Sequence, residues 1–160
     1  MTGISNGRLG MMLLVGTETI LFSSFIGAYL VLRGAAASWP PFGTPHLTLD
    51  LAILNTALLV VSSFQAWRRR LGSTFILGSL FLVLQAVEFH RLYARGLTLQ
   101  TGTYGALFYT LVTCHGLHVL GGLAILALAL RKAEWAENAE LYWHFVTGVW
   151  LVLFSILYLV

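Results

Sequence analysis

The chain has 160 residues, 58% of them hydrophobic and 9% charged, with a formal net charge of +3. Soluble domains carry roughly a quarter charged residues, so this composition excludes an ordinary water-soluble fold. The single cysteine, Cys114, excludes an internal disulfide and any multi-cysteine metal site built from this chain alone. The largest basic block, residues 68–70, directly follows an apolar run, so it indicates membrane topology and no nucleic-acid partner.

Five apolar segments are predicted to be transmembrane helices. Each is close to the ~20 residues that cross a bilayer as a helix. In chain order they cover residues 9–32, 51–67, 71–87, 104–130 and 141–160. The first is longer than the apolar core of a signal peptide, so we expect it to be retained. The sequence therefore predicts an all-α polytopic membrane protein, a bundle of five helices forming one membrane domain over residues 1–160.

The connections and the charges predict the topology. Residues 34–49 contain three prolines and are expected to form an irregular loop, whereas only the arginine block separates helices two and three, which requires a tight antiparallel hairpin. Basic residues counted on alternate sides favour a cytoplasmic N-terminus and a C-terminus outside. One side receives Arg8, Arg68, Arg69, Arg70, Arg131 and Lys132, and the other receives Arg33, Arg91 and Arg95.

Glu18 is the most unusual polar residue of the first span. It lies about ten residues into the segment, or ~15 Å deep at helical rise, close to the bilayer midplane. A carboxylate there costs ~2.5 kcal/mol or more, so it must be protonated, paired or turned to the protein interior. Two interpretations remain open: a site on or near a proton path, and a neutral acid hydrogen-bonded to a neighbouring helix.

Further polar residues lie in helices two and three. Asn55, Thr56, Gln85 and Glu88 need partners in a medium of low dielectric constant, and interhelical hydrogen bonds are the expected solution. Glu88 lies near the outer end of helix three, beside a histidine and an arginine. A second interpretation of Glu88 is therefore an interface residue that snorkels or forms a salt bridge.

Three histidines are candidates for a metal or heme site. His115 and His118 are three residues apart, on one face of helix four, and Gly121 and Gly122 allow close helix approach there. His144 lies in an aromatic cluster at the cytoplasmic start of helix five. Paired axial ligands usually come from different helices and no second set of ligands is evident, so this spacing supports heme or copper only weakly.

Two motifs carry a family resemblance. CHGLHVLGG at 114–122, followed by YWHFV at 142–146, resembles subunit III of cytochrome c oxidases and related heme-copper oxidases. Other segments match the family in order: TETILFSSFIGAYL at 17–30, LNTALL at 54–59, LQAVEF at 84–89 and GTYGALFYTLVTCHGLHV at 102–119. Longer members have seven helices, and this chain corresponds to the last five. Thr147 stands where the family commonly has an aspartate.

The resemblance implies a non-catalytic accessory subunit of a proton-pumping terminal oxidase in the inner (plasma) membrane of a bacterium. Such a subunit has no redox centre of its own, packs on the catalytic subunit I, which holds heme and copper, with subunit II in the same complex, and binds phospholipid. It supports the stability of the oxidase and its proton uptake. Structural, lipid-related or proton-path roles are expected for Glu18, Asn55, Glu88, His115, His118 and His144.

Two alternatives remain open on the sequence alone. The partner enzyme could be a quinol oxidase or a nitric oxide reductase of the same family, which the motifs do not separate from a cytochrome c oxidase. An independent transporter or heme-binding membrane protein would instead use His115, His118 and His144, and its ion flux would depend on Glu18.

Overall fold

The computed structural model describes residues 6–45, 47 and 49–159, and in these it contains helices and no strand. The five long helices are α1 (Asn6–Ala35), α2 (Leu49–Trp67), α3 (Leu71–Ala94), α4 (Thr103–Arg131) and α5 (Ala136–Phe154). A single 3-10 turn (Ala133–Trp135) precedes α5, and a π-helical turn (Ser155–Leu159) continues it. The five spans are all long and apolar enough to cross a membrane, which confirms the predicted all-α polytopic fold.

Several helix ends differ from the prediction, and the end of α3 matters most. The predicted end at residue 87 is wrong, since α3 continues to Ala94 and the chain turns at Gly96 with a φ of 90°. Hydropathy falls where charged residues begin, but a helix ends only where the backbone must turn. The predicted end of the fifth span at Val160 lies outside the described residues.

The hairpin between α2 and α3 is as tight as predicted. Arg69 adopts a left-handed conformation with a φ of 56°. The Arg69 N–H donates to the Ala66 carbonyl at 2.8 Å and the Arg70 N–H donates to the Gln65 carbonyl at 2.9 Å. These bonds satisfy carbonyls that the end of a helix leaves without partners. The turn therefore needs no residues beyond the arginine block.

The helices alternate in direction, so the bundle has two ends. We call the end with the α2–α3 turn and the start of α5 the hairpin end. The opposite end, with residues 36–45 and 95–102, is the loop end. Helix α5 packs on α1, α2 and α4, whereas α1 contacts only α5 to any extent, with a small contact to α4. Helix α5 is thus the central element of the bundle.

Trp143 of α5 forms a very close packing contact in the core. Its indole is fully buried between α3 and α4, against Gly78 and Gly122, and its Nε1–H donates to Ser62 Oγ at 2.9 Å. A Cβ at Gly122 would lie 3.0 Å from the indole, as the predicted close approach requires. Gly121 is less crowded, since its nearest neighbour would be the Tyr142 hydroxyl at 3.6 Å.

Candidate functional site

Glu18 and His118 form an ion-pair contact between α1 and α4. His118 Nε2 lies 2.7 Å from Glu18 Oε2, and both side chains are largely buried. The other ring nitrogen, Nδ1, lies 2.7 Å from the carbonyl oxygen of Cys114, one turn earlier on α4. The largely buried Glu18 carboxyl group therefore has a partner on a neighbouring helix, as one of the two interpretations expects. This partner is His118, so Glu18 and His118 form one site.

These two contacts restrict the protonation of the pair. A carbonyl oxygen only accepts, so His118 Nδ1 must carry a proton and donate it to Cys114. The short contact between Nε2 and Oε2 then needs one further proton, bound either to His118 or to Glu18. The pair is neutral as a whole in both states. A membrane interior favours that condition, because an isolated charge there is costly.

Aromatic rings surround the pair on the side of the bundle interior. Phe22, one turn after Glu18, packs edge-to-face on His118 with ring centroids 4.8 Å apart. Phe22 also meets His115 and Phe145, each at 6.4 Å. Apolar surroundings limit the access of water and so strengthen the electrostatic interaction between Glu18 and His118.

His115 lies in the core and faces different partners from His118. It is 1% exposed and stacks on Trp150 with centroids 5.1 Å apart, while Phe81 meets it edge-on at 5.9 Å. Neither ring nitrogen has a hydrogen-bond partner among the described residues. The two histidines predicted to share a face of α4 therefore do not converge on one ligand. An uncharged His115 ring fits such surroundings best.

A buried polar group joins α2 and α3 toward the loop end. Asn55 Nδ2 donates to Gln85 Oε1 at 3.1 Å, which confirms the expected interhelical hydrogen bond. Glu88 lies one turn beyond Gln85 and is 1% exposed, so the expectation that it snorkels to the surface of the bundle is wrong. The reason is the length of α3, which carries Glu88 inside the bundle. Thr56 accepts a second interhelical bond, from Trp150 Nε1 at 3.0 Å.

His144 belongs to a polar network at the hairpin end. Its Nδ1 lies 2.6 Å from Ser63 Oγ of α2, and its Nε2 lies 3.8 Å from Glu140 Oε1. Glu140 also pairs with Arg69 Nε at 3.0 Å. A neighbouring bridge joins Arg8 of α1 to Glu137 at 3.3 Å. Sequence reasoning missed this network, although two glutamates at the start of α5 opposite the arginine block were a usable signal.

The structure thus separates the six predicted site residues into four places. Glu18 and His118 are in contact with each other. Asn55 of α2 bonds to Gln85 of α3, the helix that also carries Glu88. His115 lies in the aromatic core, and His144 lies at the hairpin end. Within the part of the chain that the structure describes, no three His, Cys, Asp or Glu side chains are grouped to hold a metal ion.

Thr147 shows how the chain accommodates its departure from the family motif. The side chain is 5% exposed, and its hydroxyl donates to the Trp143 carbonyl of its own helix at 2.9 Å. A threonine can satisfy itself in this way inside an apolar core, whereas a carboxylate at the same position would need a donor from another helix.

Five apolar spans joined by buried polar contacts define a multi-pass helical membrane protein. The family model for cytochrome c oxidase subunit III matches residues 2–160. A Bacillus subtilis protein named cytochrome c oxidase subunit 3 is 36% identical, over 96% of this chain and 86% of the relative. A Synechocystis protein of the same name is 35% identical, over 94% and 74% of the two chains. The chain belongs to the cytochrome c oxidase subunit III family, whose place is in a heme-copper oxidase complex.

Proposed function

We propose that this chain is the non-catalytic subunit III of a proton-pumping terminal oxidase, packed against subunit I, which holds heme and copper, with subunit II in the same complex. The family match over residues 2–160 carries this proposal. Two of the three candidate histidines support it, because both ring nitrogens of His118 and Nδ1 of His144 are engaged in contacts within the chain. On this proposal the chain contributes stability and proton uptake to the complex, and residues 1–160 fold as one membrane domain.

Purification of the complex through a tag on this chain tests the proposal. We expect a large heme-bearing subunit to co-purify, and the heme absorbance to stay with that subunit after the tagged chain is stripped off. Heme that follows the tagged chain would contradict the proposal and favour an independent heme protein. The co-purifying subunit also shows whether the electron donor is cytochrome c or quinol, and a nitric oxide reductase partner would replace the oxidase assignment.

We further propose that Glu18 and His118 act as a proton-sharing pair that also anchors α1. The 2.7 Å contact and the fixed Nδ1 proton support one mobile proton between them. Infrared difference spectra of the complex, with Glu18→Gln as the reference, test this. We expect a perturbed carboxyl band that shifts in His118→Gln. Glu18→Gln itself should leave assembly largely intact, because the amide keeps hydrogen-bonding capacity without a charge. A band that is indifferent to His118 would contradict the proposal.

A phospholipid chain is proposed to occupy the groove between α1 and α5. The groove has a volume of about 620 Å³, and its lining, which includes Phe22, Ile26, Phe145 and Val149, is almost entirely apolar. Gly148 lies in this lining with no atom within 4 Å of a would-be Cβ, so a Gly148→Leu side chain would enter the groove. Lipid analysis of the purified complex should show loss of one bound phospholipid in that variant. Gly16→Leu, at an open position of α1 outside the groove lining, is the control.

The proposed orientation places the hairpin end in the cytoplasm of a bacterial cell, with the protein in the plasma membrane. Six basic residues belong to elements that meet at the hairpin end: Arg8, Arg68, Arg69, Arg70, Arg131 and Lys132. Three lie toward the loop end: Arg33, Arg91 and Arg95. This asymmetry supports the positive-inside arrangement. Reporters fused to each terminus test it, and a periplasmic signal from the N-terminal reporter would reverse it.

A further inference from the structure

A small cavity lies beneath the α1–α2 loop at the loop end of the bundle. Its volume is about 140 Å³, and its lining includes Tyr29, Trp39, Tyr104, Leu157 and Tyr158. Three phenol rings and an indole from the loop and from three different helical elements therefore meet around one space. Such a concentration of hydroxyl and N–H groups is unusual for the interior of a bundle that is otherwise packed with aliphatic and aromatic carbon.

Part of the cavity wall is already satisfied by hydrogen bonds. Trp39 Nε1 donates to the Tyr29 hydroxyl at 3.0 Å, and that hydroxyl donates to the Ile156 carbonyl at 3.0 Å. The indole of Trp39 packs edge-on against both Tyr29 and Tyr104, with centroids 5.6 and 5.2 Å apart. These contacts fix the loop as the roof of the cavity. The Tyr29 hydroxyl has no proton left to give to anything inside.

The Tyr158 hydroxyl is the group that the cavity leaves unsatisfied. It is buried and has no hydrogen-bond partner within the described part of the protein, yet the side chain lines the cavity. The side chains of Gln85 and Glu88 lie close enough to act electrostatically on this hydroxyl. The Gln85 Nε2 donor also has no partner among the described residues, while the Oε1 atom of the same amide accepts from Asn55. A donor and a hydroxyl thus lie side by side, next to a polar space.

We propose that this cavity is a binding site for ordered water, anchored on the Tyr158 hydroxyl. A volume of about 140 Å³ has room for several water molecules. In the proposed site the Tyr158 O–H donates to water, beside the hydrogen bond that Asn55 donates to Gln85. Buried water of this kind satisfies interior polar groups that protein atoms do not reach.

The proposed water extends a polar chain from the loop end into the middle of the bundle. Asn55 lies on α2, Gln85 on α3 and Tyr158 just beyond α5, so the chain connects three elements. Glu88, one turn from Gln85 and 1% exposed, lies beside this chain.

Radiolytic footprinting of the intact complex tests the site, because an X-ray pulse converts bound water to hydroxyl radicals that label adjacent side chains. We expect Tyr104 to be labelled although it is only 4% exposed, and the partly buried Tyr158 to be labelled as well. Trp150 should stay unlabelled although indoles react readily, since it is 0% exposed and packs on His115 and Phe81. Equal, background labelling of Tyr158 and Trp150 in the wild-type complex would overturn the proposal without any variant.

Two variants test the anchor. Tyr158→Phe removes the hydroxyl, and we expect the label on Tyr104 to be lost. Tyr109→Phe is the matched control at the same end, because the Tyr109 hydroxyl already donates to the Leu97 carbonyl at 2.8 Å and does not line the cavity. Its Tyr104 label should equal the wild-type value. Undiminished labelling of Tyr104 in Tyr158→Phe would show that other groups hold the water and would overturn the anchoring role.

Discussion

Trp143 of α5 packs against the bare backbone of Gly78 of α3, so closely that a methyl group at residue 78 would overlap the far edge of the indole ring. The same ring lies against Gly122 of α4 and is fixed by its hydrogen bond to Ser62 of α2. One side chain therefore contacts α2, α3 and α4. Apolar surface gains little from burial within a membrane, so close packing of this kind determines which helices associate.

Gly78→Ala should destabilise the bundle by about 1–3 kcal/mol, the usual cost of overpacking a well-filled core. The rigid indole cannot retreat, because Ser62 holds its Nε1. Thermal denaturation of the purified complex, followed through loss of this subunit, measures the effect. Gly148→Ala is the control in a helix interior, since nothing lies within 4 Å of its added methyl group. Equal stability of the two variants would contradict the packing described for Trp143.

His118→Leu should be more harmful than the double variant that also carries Glu18→Leu. The single change leaves a largely buried carboxyl group without its 2.7 Å partner, whereas the double change removes both polar groups together. A double-mutant cycle on thermal stability should give a coupling of about 0.5–3 kcal/mol. Additive effects of the two substitutions would show that the contact does not contribute to holding α1.

Thr56→Val should cost about 1–3 kcal/mol, because it leaves the N–H of the fully buried Trp150 without an acceptor. Thr56→Ser keeps the hydroxyl and should stay close to wild type. The fluorescence maximum of the tryptophans and the thermal midpoint are the measurements. A valine variant as stable as the wild type would contradict the contribution of this hydrogen bond.

Arg8→Gln should change stability by no more than about 1 kcal/mol, and salt should reduce the effect further. Both partners of the bridge to Glu137 are more than half exposed, at 53% and 61%. Ser63→Ala should cost more, since it removes the 2.6 Å partner of His144 between α2 and α5. Thermal midpoints at low and high salt distinguish the two, and a larger loss for Arg8→Gln would invert the expected order.

Helix number and type could be predicted from the sequence, because apolar runs of membrane length have only one stable conformation in lipid. The hairpin at Arg69 followed from the shortness of the connection. The burial of Glu88 could not be predicted, since hydropathy marks where charges begin and not where the α3 backbone turns. The close contact between Gly78 and Trp143 could not be predicted either, because the two residues are distant in sequence and only the packed structure brings them together.

The sequence predicts which residues belong to the candidate site, but it does not predict the contacts between them. Glu18 and His118 were both singled out, but a single sequence carries no sign that one faces the other across two helices. The sequence also gives no sign that His115 and His118, which share a face of α4, have different partners. Their spacing on α4 fixes the angle between them, whereas the helices packed on each side decide that one meets a carboxyl group and the other an indole.

Helix α1 buries only Met11, Phe22 and Tyr29 of its 30 residues, and it is attached by polar contacts at Arg8, Glu18 and Tyr29. These contacts are ten and eleven residues apart, close to three helical turns each, and so ~15 and ~16 Å apart along the axis. Apolar contacts with lipid and with α5 alone would allow α1 to slide along its axis at little cost in free energy. The three evenly spaced polar contacts prevent such sliding, because a shift of one residue along the axis or a quarter rotation would break all of them together.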